Sequence, residues 1–448
     1  MKLFKKTHPR HSEGSAGPAV IAVSLLSLLC ILIFHFLPGS IISQNPGSGN
    51  AVKALSGNSA FTVGQAYAPF DIFHMENADF SAVIVSDLHY SSGVPLISSG
   101  GVSRQDNMDA FTRTLLAEVE AIRPDVLILC GDNTDLGDLS SMERLSSLLQ
   151  ETEKAGIPIA LCPGNHDYGL SSAADYSRLF APLMHADSVN EDSLSYSRLI
   201  GNCRLLIMDD NLDGNGIYGA FSDQTIGWLD SQLEAAEASG EFPILITHHN
   251  IFRGSIPEHE DNYVIQNEDL PGLLEQHHVR LVFSGHRHGQ EIIHPETSSV
   301  YEIVSGFPSA YPFYFGVLKI EDGTVSYQAQ SIDFQNYGAD YGMRGLSGDS
   351  GNLPDMQQTF SDAIESMLEE KTLSRNDREK IRDLFLKFTD VSLRGELALY
   401  KQEILEDPSY HKMIMAIKDT NYGRWVQYAM EHTELPGTYL SLELTQDL

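Results

Sequence analysis

The segment Pro163-Gly164-Asn165-His166-Asp167 decides how this chain is read. It follows an apolar run, residues 157–162, broken only by Pro158, and precedes a break rich in Gly and Ser. An apolar run stopped by a glycine turn reads as a buried strand ending in a tight loop. In α/β sheets the chemistry lies beyond the carboxyl ends of such strands. Gly164 lets the backbone approach another group closely. Asn165 supplies a neutral oxygen, His166 an imidazole, and Asp167 a carboxylate able to orient it. Alone, such a tripeptide is ordinary turn chemistry. Its weight comes from four other short segments, each also at the end of a predicted strand.

Outward from this stretch, strands and helices alternate. A first strand, residues 82–85, ends in Ser86-Asp87-Leu88-His89, and a helix covers 107–122 up to Pro124. A second strand, 126–129, ends in Cys130-Gly131-Asp132-Asn133, and a helix near 140–154 leads to the third strand. This order, with continuously apolar strands, predicts a parallel sheet. Strand-like segments 194–199 and 204–208 follow, then a helix capped by Ser222. The strand 243–247 ends in His248-His249. After a helix near 269–277, the strand 279–283 ends in Gly285-His286-Arg287-His288. Residues 290–331 read as a meander, with Glu321-Asp322-Gly323-Thr324 as a hairpin turn. A Gly-, Ser- and Asp-rich stretch, 336–355, reads as a linker. Beyond it Met356, Phe360, Ile364, Met367 and Leu368 recur at helical spacing, as do Ile381, Leu384, Phe385 and Phe388 after a cap at Ser374. Residues 356–448 therefore read as a helical extension that packs on the body or presents a partner surface.

The 448 residues carry a net charge of −32. Lys2, Lys5, Lys6, Arg10 and Glu13 are the charged residues of the first 40, which leaves 25 basic against 60 acidic residues after them. Such a surface repels nucleic acid and anionic membranes, so no nucleic-acid partner is expected. Residues 19–37 contain no charge, and at ~1.5 Å per residue nearly span a ~30 Å hydrocarbon core. Basic residues precede this span, which predicts a single-pass membrane anchor with residues 1–18 cytoplasmic and the rest extracytoplasmic. A cleaved signal peptide is the competing reading, disfavoured by the long apolar core and the lack of a small-x-small cleavage site. Residues 38–78, rich in Gly, Ser, Asn and Ala, read as a tether to a catalytic domain at 79–335. Cys130, Cys162 and Cys203 lie in or beside strands and read as buried thiols. Nothing in the sequence speaks to oligomeric state.

Together the strand ends carry Asp87-x-His89, Gly131-Asp132, Gly164-Asn165-His166-Asp167, His248 and Gly285-His286-x-His288. Imidazole, carboxylate and amide oxygens suit first-row transition metals. Two such ions ~3.5–4 Å apart clamp a phosphoryl group and ionise a water for in-line attack. In these blocks and their order, over about residues 80–329, the chain resembles the calcineurin-like metallophosphoesterases, which include purple acid phosphatases and bacterial cyclic-nucleotide and glycerophosphodiester phosphodiesterases. The resemblance implies a four-layer α/β/β/α sandwich of two packed mixed sheets with a dinuclear centre at the strand ends, here followed by the helical extension.

The resemblance also implies roles. Asp87, His89 and His288 hold one ion, Asn165, His248 and His286 the other, and Asp132 bridges them. His166 protonates the leaving oxygen and Asp167 orients it. His248 is preferred to its neighbour His249 because the family's ligand is the first residue after the strand. The ions are Mn, Fe or Zn, and the substrate is a small phosphomonoester or phosphodiester. Arg287 is expected at the solvent, as are His185, His259, His277, His278 and His294. Asp135, Asp209 and Asp210 are either partners of ligand histidines or solvated loop residues. The loops 90–107, 168–192 and 251–267 shape the pocket. Two rival functions remain: a non-catalytic binding module on the same fold, which predicts eroded ligands, and a dinuclear hydrolase of an amide or thioester.

Overall fold

The computed structural model describes residues 79–93, 108–212, 218–255, 264–344, 353–369 and 371–444. The anchor at 19–37 and the tether at 38–78 lie outside them. Among the described residues no helix is long and apolar enough to cross a membrane.

Three apolar runs form the parallel strands β1 (Phe80–Val85), β2 (Val126–Cys130) and β3 (Ile159–Cys162). Helices α1 (Met108–Ile122) and α2 (Leu139–Lys154) cross between them. Register pairs Ala82 with Val126 and Leu127 with Ile159. The chain then forms α3 (Ala173–Met184), β4 (Ser188–Val189), β5 (Tyr196–Ile200), β6 (Cys203–Ile207), α4 (Asp223–Ser239), β7 (Phe242–Ile246), α5 (Leu270–Gln276) and β8 (Leu281–Ser284). After β9 (Glu291–Ile293) and β10 (Tyr301–Val304) come β11 (Tyr314–Glu321) and β12 (Thr324–Ser331). Ser222 caps α4, accepting from the Thr225 nitrogen at 3.1 Å. Glu321 pairs with Thr324 across the expected hairpin, whose turn residues Asp322 and Gly323 have φ of 49° and 73°.

The strands form two sheets, and β9 and β10 belong to a different one from β11 and β12. Residues 290–331 are therefore not one meander. The first sheet has the order β12-β11-β1-β2-β3, extended at the β12 edge by a final strand; the second runs β4-β5-β6-β7-β8-β10-β9. Alternation along each strand explains the layers. Ala82, Ile84, Ile128 and Cys162 face Leu205, Ile244, Ile246 and Phe283 between the sheets. Val83, Leu127, Leu129 and Leu161 point the other way, under Phe111, Leu115, Leu145 and Phe180 of α1, α2 and α3. Leu206, Leu245 and Val282 lie under Leu229, Leu233, Leu270 and Leu274 of α4 and α5. The result is an α/β/β/α sandwich. Cys130, Cys162 and Cys203 are free and buried.

Three expectations need correction. The stretch after His166 carries α3, started by a reciprocal Ser172–Asp175 capping box; its Gly-Ser onset and Pro182 disguise the helix. The expected linker begins as part of the body, because a short helix α6 (Phe334–Tyr337) follows β12 and buries Phe334, and Met343 beyond it joins the same core beneath the first sheet. The C-terminal region holds α7 (Leu353–Leu368), α8 (Arg375–Leu393), α9 (Leu397–Glu406), α10 (Tyr410–Ile417) and α11 (Asn421–His432), with Ser374 capping α8. It is not wholly helical. Its last strand, β13 (Tyr439–Glu443), pairs antiparallel with β12 and supplies the first sheet's sixth strand.

Candidate metal centre

The ends of β1, β2, β3, β7 and β8 converge where the two sheets meet. Main-chain hydrogen bonds continue past the strands: the Asp87 nitrogen donates to the Gly131 carbonyl at 3.0 Å, His89 to Asp132 at 2.9 Å, and Gly285 to His248 at 3.0 Å. These bonds hold the loops in a costly shape. Asp87, His89, Asp132, His286 and His288 all have positive φ, between 47° and 67°. Each costs on the order of 1–3 kcal/mol and persists only where surrounding structure enforces it. Two glycines let the loops close. A Cβ on Gly164 would collide with the main chain and Oδ1 of Asp132, and one on Gly285 with Ser86 and the Asp87 carboxylate.

Two donor sets that share Asp132 result, beside a third group of His89, Asp135 and His166. Asp87, His89, Asp132 and His288 place one donor atom each within 4.8 Å of one another, as do Asp132, His248 and His286. In the first set the His89 and His288 Nε2 atoms are 3.0 Å apart, and His288 Nε2 lies 3.3 Å from Asp87 Oδ1. In the second, His248 Nε2 lies 3.3 Å from Asp132 Oδ1. Asn165 Oδ1 joins this set, 3.0 Å from His248 Nε2 and 3.1 Å from His286 Nδ1.

The tautomers are set from outside. His248 Nδ1 lies 3.0 Å from the Cys130 carbonyl, which can only accept, so Nδ1 carries the proton and Nε2 faces inward. His249 points elsewhere. Its Nδ1 is 2.8 Å from Asp210 Oδ1, and Asp210 Oδ2 accepts from the main-chain nitrogens of both His248 and His249. Asp210 therefore fixes the loop that presents His248.

Residues 80–290 match the calcineurin-like phosphoesterase family. These residues are a calcineurin-like phosphoesterase domain. A relative described as a probable cyclic nucleotide phosphodiesterase from Psychrobacter arcticus is 25% identical over 55% of this chain and 86% of its own length. One of the same description from Rhodococcus erythropolis is 28% identical over 46% of this chain and 64% of its own, so the chain spans less than two thirds of that relative. Among solved structures, a dimetal phosphatase from Danio rerio aligns over 56% of this chain and 96% of its own, with 14% identity and a TM-score of 0.46. With this domain the chain is a metal-dependent phosphoric ester hydrolase.

The donors of this phosphoesterase fit cations. Burial opposes a charge on His89 and His248, yet Asp135 and Asp132 lift His89 to about 9, and Asp132 lifts His248 to about 10. Burial alone would raise the Asp132 carboxyl, but His248, His166 and His89 hold it well below its ordinary range. Burial likewise opposes ionisation of Asp87, and His288 draws it down. A field that keeps protons on buried imidazoles is one that metal cations satisfy. Burial keeps His286 and His288 neutral, the form in which imidazole ligates.

Around the donors the structure departs from the sequence reading. Asp167 does not touch the His166 ring. Its buried carboxylate accepts from the Asn133 nitrogen (3.1 Å) and Nδ2 (2.9 Å), the Thr134 nitrogen (2.8 Å) and Oγ1 (2.7 Å), and the Gly164 nitrogen (2.9 Å). It ties the β2 loop to the β3 loop. The Asp135 carbonyl instead accepts from His166 Nδ1 at 2.7 Å. Arg287 is not at the solvent: it is buried, 6% exposed, against Gly254 and near the carboxylates of Glu291 and Glu302. His277 is buried against Asp230 at 2.8 Å, while His185 is half exposed beside Glu153. Asp135, Asp209 and Asp210 are all buried, so none is a solvated loop residue.

Phe307 belongs to none of the sequence motifs. Its ring stacks on His288 (4.8 Å, 21°) and meets His89 edge-on at 5.5 Å, forming an apolar wall. The one available signal is its place just past β10, on the same edge as the ligands. Of the loops expected to shape a pocket, the one after His166 contributes Tyr168, Ser171 and Asp192 to a cleft of about 570 Å³, completed by Asn211 and Phe221.

Proposed function

We propose that this phosphoesterase hydrolyses a small phosphodiester, with cyclic nucleotides as the substrate class, at two metal ions. The observation that carries the two-ion reading is the sharing of the Asp132 carboxylate between two complete donor sets. The substrate class is supported by the description shared by the Psychrobacter and Rhodococcus relatives, and by the acidic surface, which repels longer polyanions.

In this reading Asp87, His89 and His288 hold one ion, Asn165, His248 and His286 the other, and Asp132 both. Bound there, the ions polarise the phosphoryl oxygens and lower the pKa of water. The neutral Asn165 amide limits the negative charge that a phosphate meets. His166 is the residue free to work on the leaving group. Its side chain is 27% exposed, and Nε2 stands 4.0 Å from Asp132 Oδ2, at the edge of the centre. Because the Asp135 carbonyl holds a proton on Nδ1, Nε2 donates only when the ring is an imidazolium. Phe307 excludes water from one side of the His89–His288 set.

The test is turnover by the metal-loaded chain of a 3′,5′-cyclic nucleotide, bis-p-nitrophenyl phosphate and p-nitrophenyl phosphate. The proposal expects both diesters to be hydrolysed faster than the monoester. Preference for the monoester would overturn the diester reading, and metal binding without turnover would favour the binding module. The membrane anchor stays a proposal supported by the apolar span 19–37. Chains recovered with the membrane fraction and retaining residues 1–18 would agree with it; mature chains starting between 39 and 50 would end it.

A further inference from the structure

We propose that the C-terminal extension, residues 353–444, is a clamp that sets the geometry of His288 and so the affinity of one of the two metal sites. The inference rests on the assignment of His288 as a ligand. The extension lies wholly beyond the residues that match the family, 80–290, yet it grips the centre at two places.

The first grip is at Gln290, two residues past His288. The Gln290 side chain is buried, and all its contacts are to fixed groups. Nε2 donates to the Gly437 carbonyl at 2.7 Å and to the Tyr327 hydroxyl at 3.1 Å, and Oε1 accepts from the Gly306 nitrogen at 3.2 Å. The extension's backbone then closes on the Gln290 main chain. A Cβ on Gly437 would strike the Gln290 carbonyl and Glu291 Cα, and one on Gly395, at φ +65°, would strike the same carbonyl. These two glycines are bonded to each other, Gly437 nitrogen to Gly395 carbonyl, at 2.7 Å. Backbone this close to backbone leaves the segment after His288 no room to relax.

The second grip is on the His288 ring itself. Phe307 stacks there, and its neighbour Gly306 is tied to Gln290. Four residues beyond Phe307, the Tyr311 hydroxyl donates to Asp390 of α8 at 2.9 Å, and the Tyr311 ring is part of the extension's own core. The ring and the backbone of His288 are thus both referred to the extension. His288 needs this restraint because its φ of 54° is one that a histidine keeps only under constraint. Phe307 touches His89 as well as His288, two ligands of the same set. The clamp therefore acts selectively, and Gln290 is a positioning residue for the Asp87–His89–His288 site.

The test measures metal, not turnover. Gln290→Met keeps the side-chain length and removes its three hydrogen bonds; Gly437→Ala puts a Cβ against the Gln290 carbonyl. Arg375→Ala, at an exposed position on α8, is the control. Each full-length variant is dialysed against a buffered series of Mn or Zn, and bound metal is counted, with circular dichroism to confirm folding. Removing a residue that orients a ligand typically weakens metal affinity ~10–100-fold. The expected result is that loss at one site of two, with the other unchanged and the control like wild type. Two wild-type affinities in folded Gln290→Met would overturn the clamp; if Gly437→Ala fails to fold, Gln290→Met decides alone. Equal weakening of both sites would also overturn it, since that is what general loosening does. His288→Ala separates the two levels of argument. If it retains both ions, the ligand assignment fails rather than the clamp alone.

Discussion

Replacing Asp167 by Asn distinguishes a residue that ties two loops from one that orients a catalytic histidine. The carboxylate accepts five hydrogen bonds, divided between its oxygens: Asn133 N, Asn133 Nδ2 and Gly164 N on Oδ2, Thr134 N and Oγ1 on Oδ1. An amide has one oxygen. Facing it toward the larger set leaves its NH2 against the Thr134 nitrogen, 2.8 Å away in the native structure. The Thr134 hydroxyl can turn to accept, but the Thr134 N–H cannot, and one buried unpaired donor costs ~1–3 kcal/mol. The three remaining bonds lose their charge assistance, at about 1 kcal/mol each. Relief of the buried charge offsets part of this, since burial pushes the Asp167 carboxyl up, with Asp132 adding to it. A net loss of about 3 kcal/mol follows, and at ~2–4 °C per kcal/mol for a domain of this size the melting temperature should fall by about 6–12 °C. Differential scanning calorimetry on the metal-free chain measures it, alongside turnover of alkyl and p-nitrophenyl esters by the metal-loaded chain. A melting temperature within ~2 °C of wild type, together with activity lost chiefly on alkyl esters, would refute the reasoning and restore Asp167 as the orienting group.

His166→Ala should keep its metals and lose ~10²–10⁴ in rate on alkyl esters, whose alkoxide needs a proton, but far less on p-nitrophenyl esters; loss of a metal, measured by atomic absorption, would make His166 a ligand. Metal-free protein should lose thermal stability as pH rises from 6.5 through 9 and 10, because the folded-state values of His89 and His248 stand above the ordinary histidine value, so their contribution is complete below it and disappears on deprotonation. Metal affinity should rise over the same interval, since ions compete with those protons; a flat pH profile in both measurements would contradict the assignment. Asn165→Ala should loosen mainly the ion held with His248 and His286, read as one weakened site in a two-site titration.

Strand ends were legible because the apolar runs stop sharply at Gly and polar residues. The parallel sheet and the motif segments follow from that alone, whereas the two-sheet sandwich was an implication of the resemblance. Local pattern could not show which sheet a strand joins, so β9 to β12 read as one meander although β10 lies parallel to β8 while β11 pairs with β1, far back in sequence. Helix α3 was lost to its Gly-Ser onset, though Ser172 and Asp175 are a capping signature. Strand β13 has an ordinary alternation, but its partner β12 is more than a hundred residues away. At the site, residue types named the donors, while second partners depended on loop geometry. Asp167 is adjacent to His166, yet the 3₁₀ turn His166–Tyr168 sends the two side chains apart and brings the Asp135 carbonyl to the ring instead.

The metal content of Asp132→Ala tests the dinuclear centre most directly. Wild type should bind about two ions per chain, by inductively coupled plasma mass spectrometry on protein loaded with Mn or Zn and desalted. Asp132 is the one side chain common to both donor sets, so the variant should fall to near zero at both sites and lose turnover of bis-p-nitrophenyl phosphate. An Asp132→Ala protein that keeps two ions, or wild type that stays fully active after exhaustive chelation, would contradict the dinuclear reading.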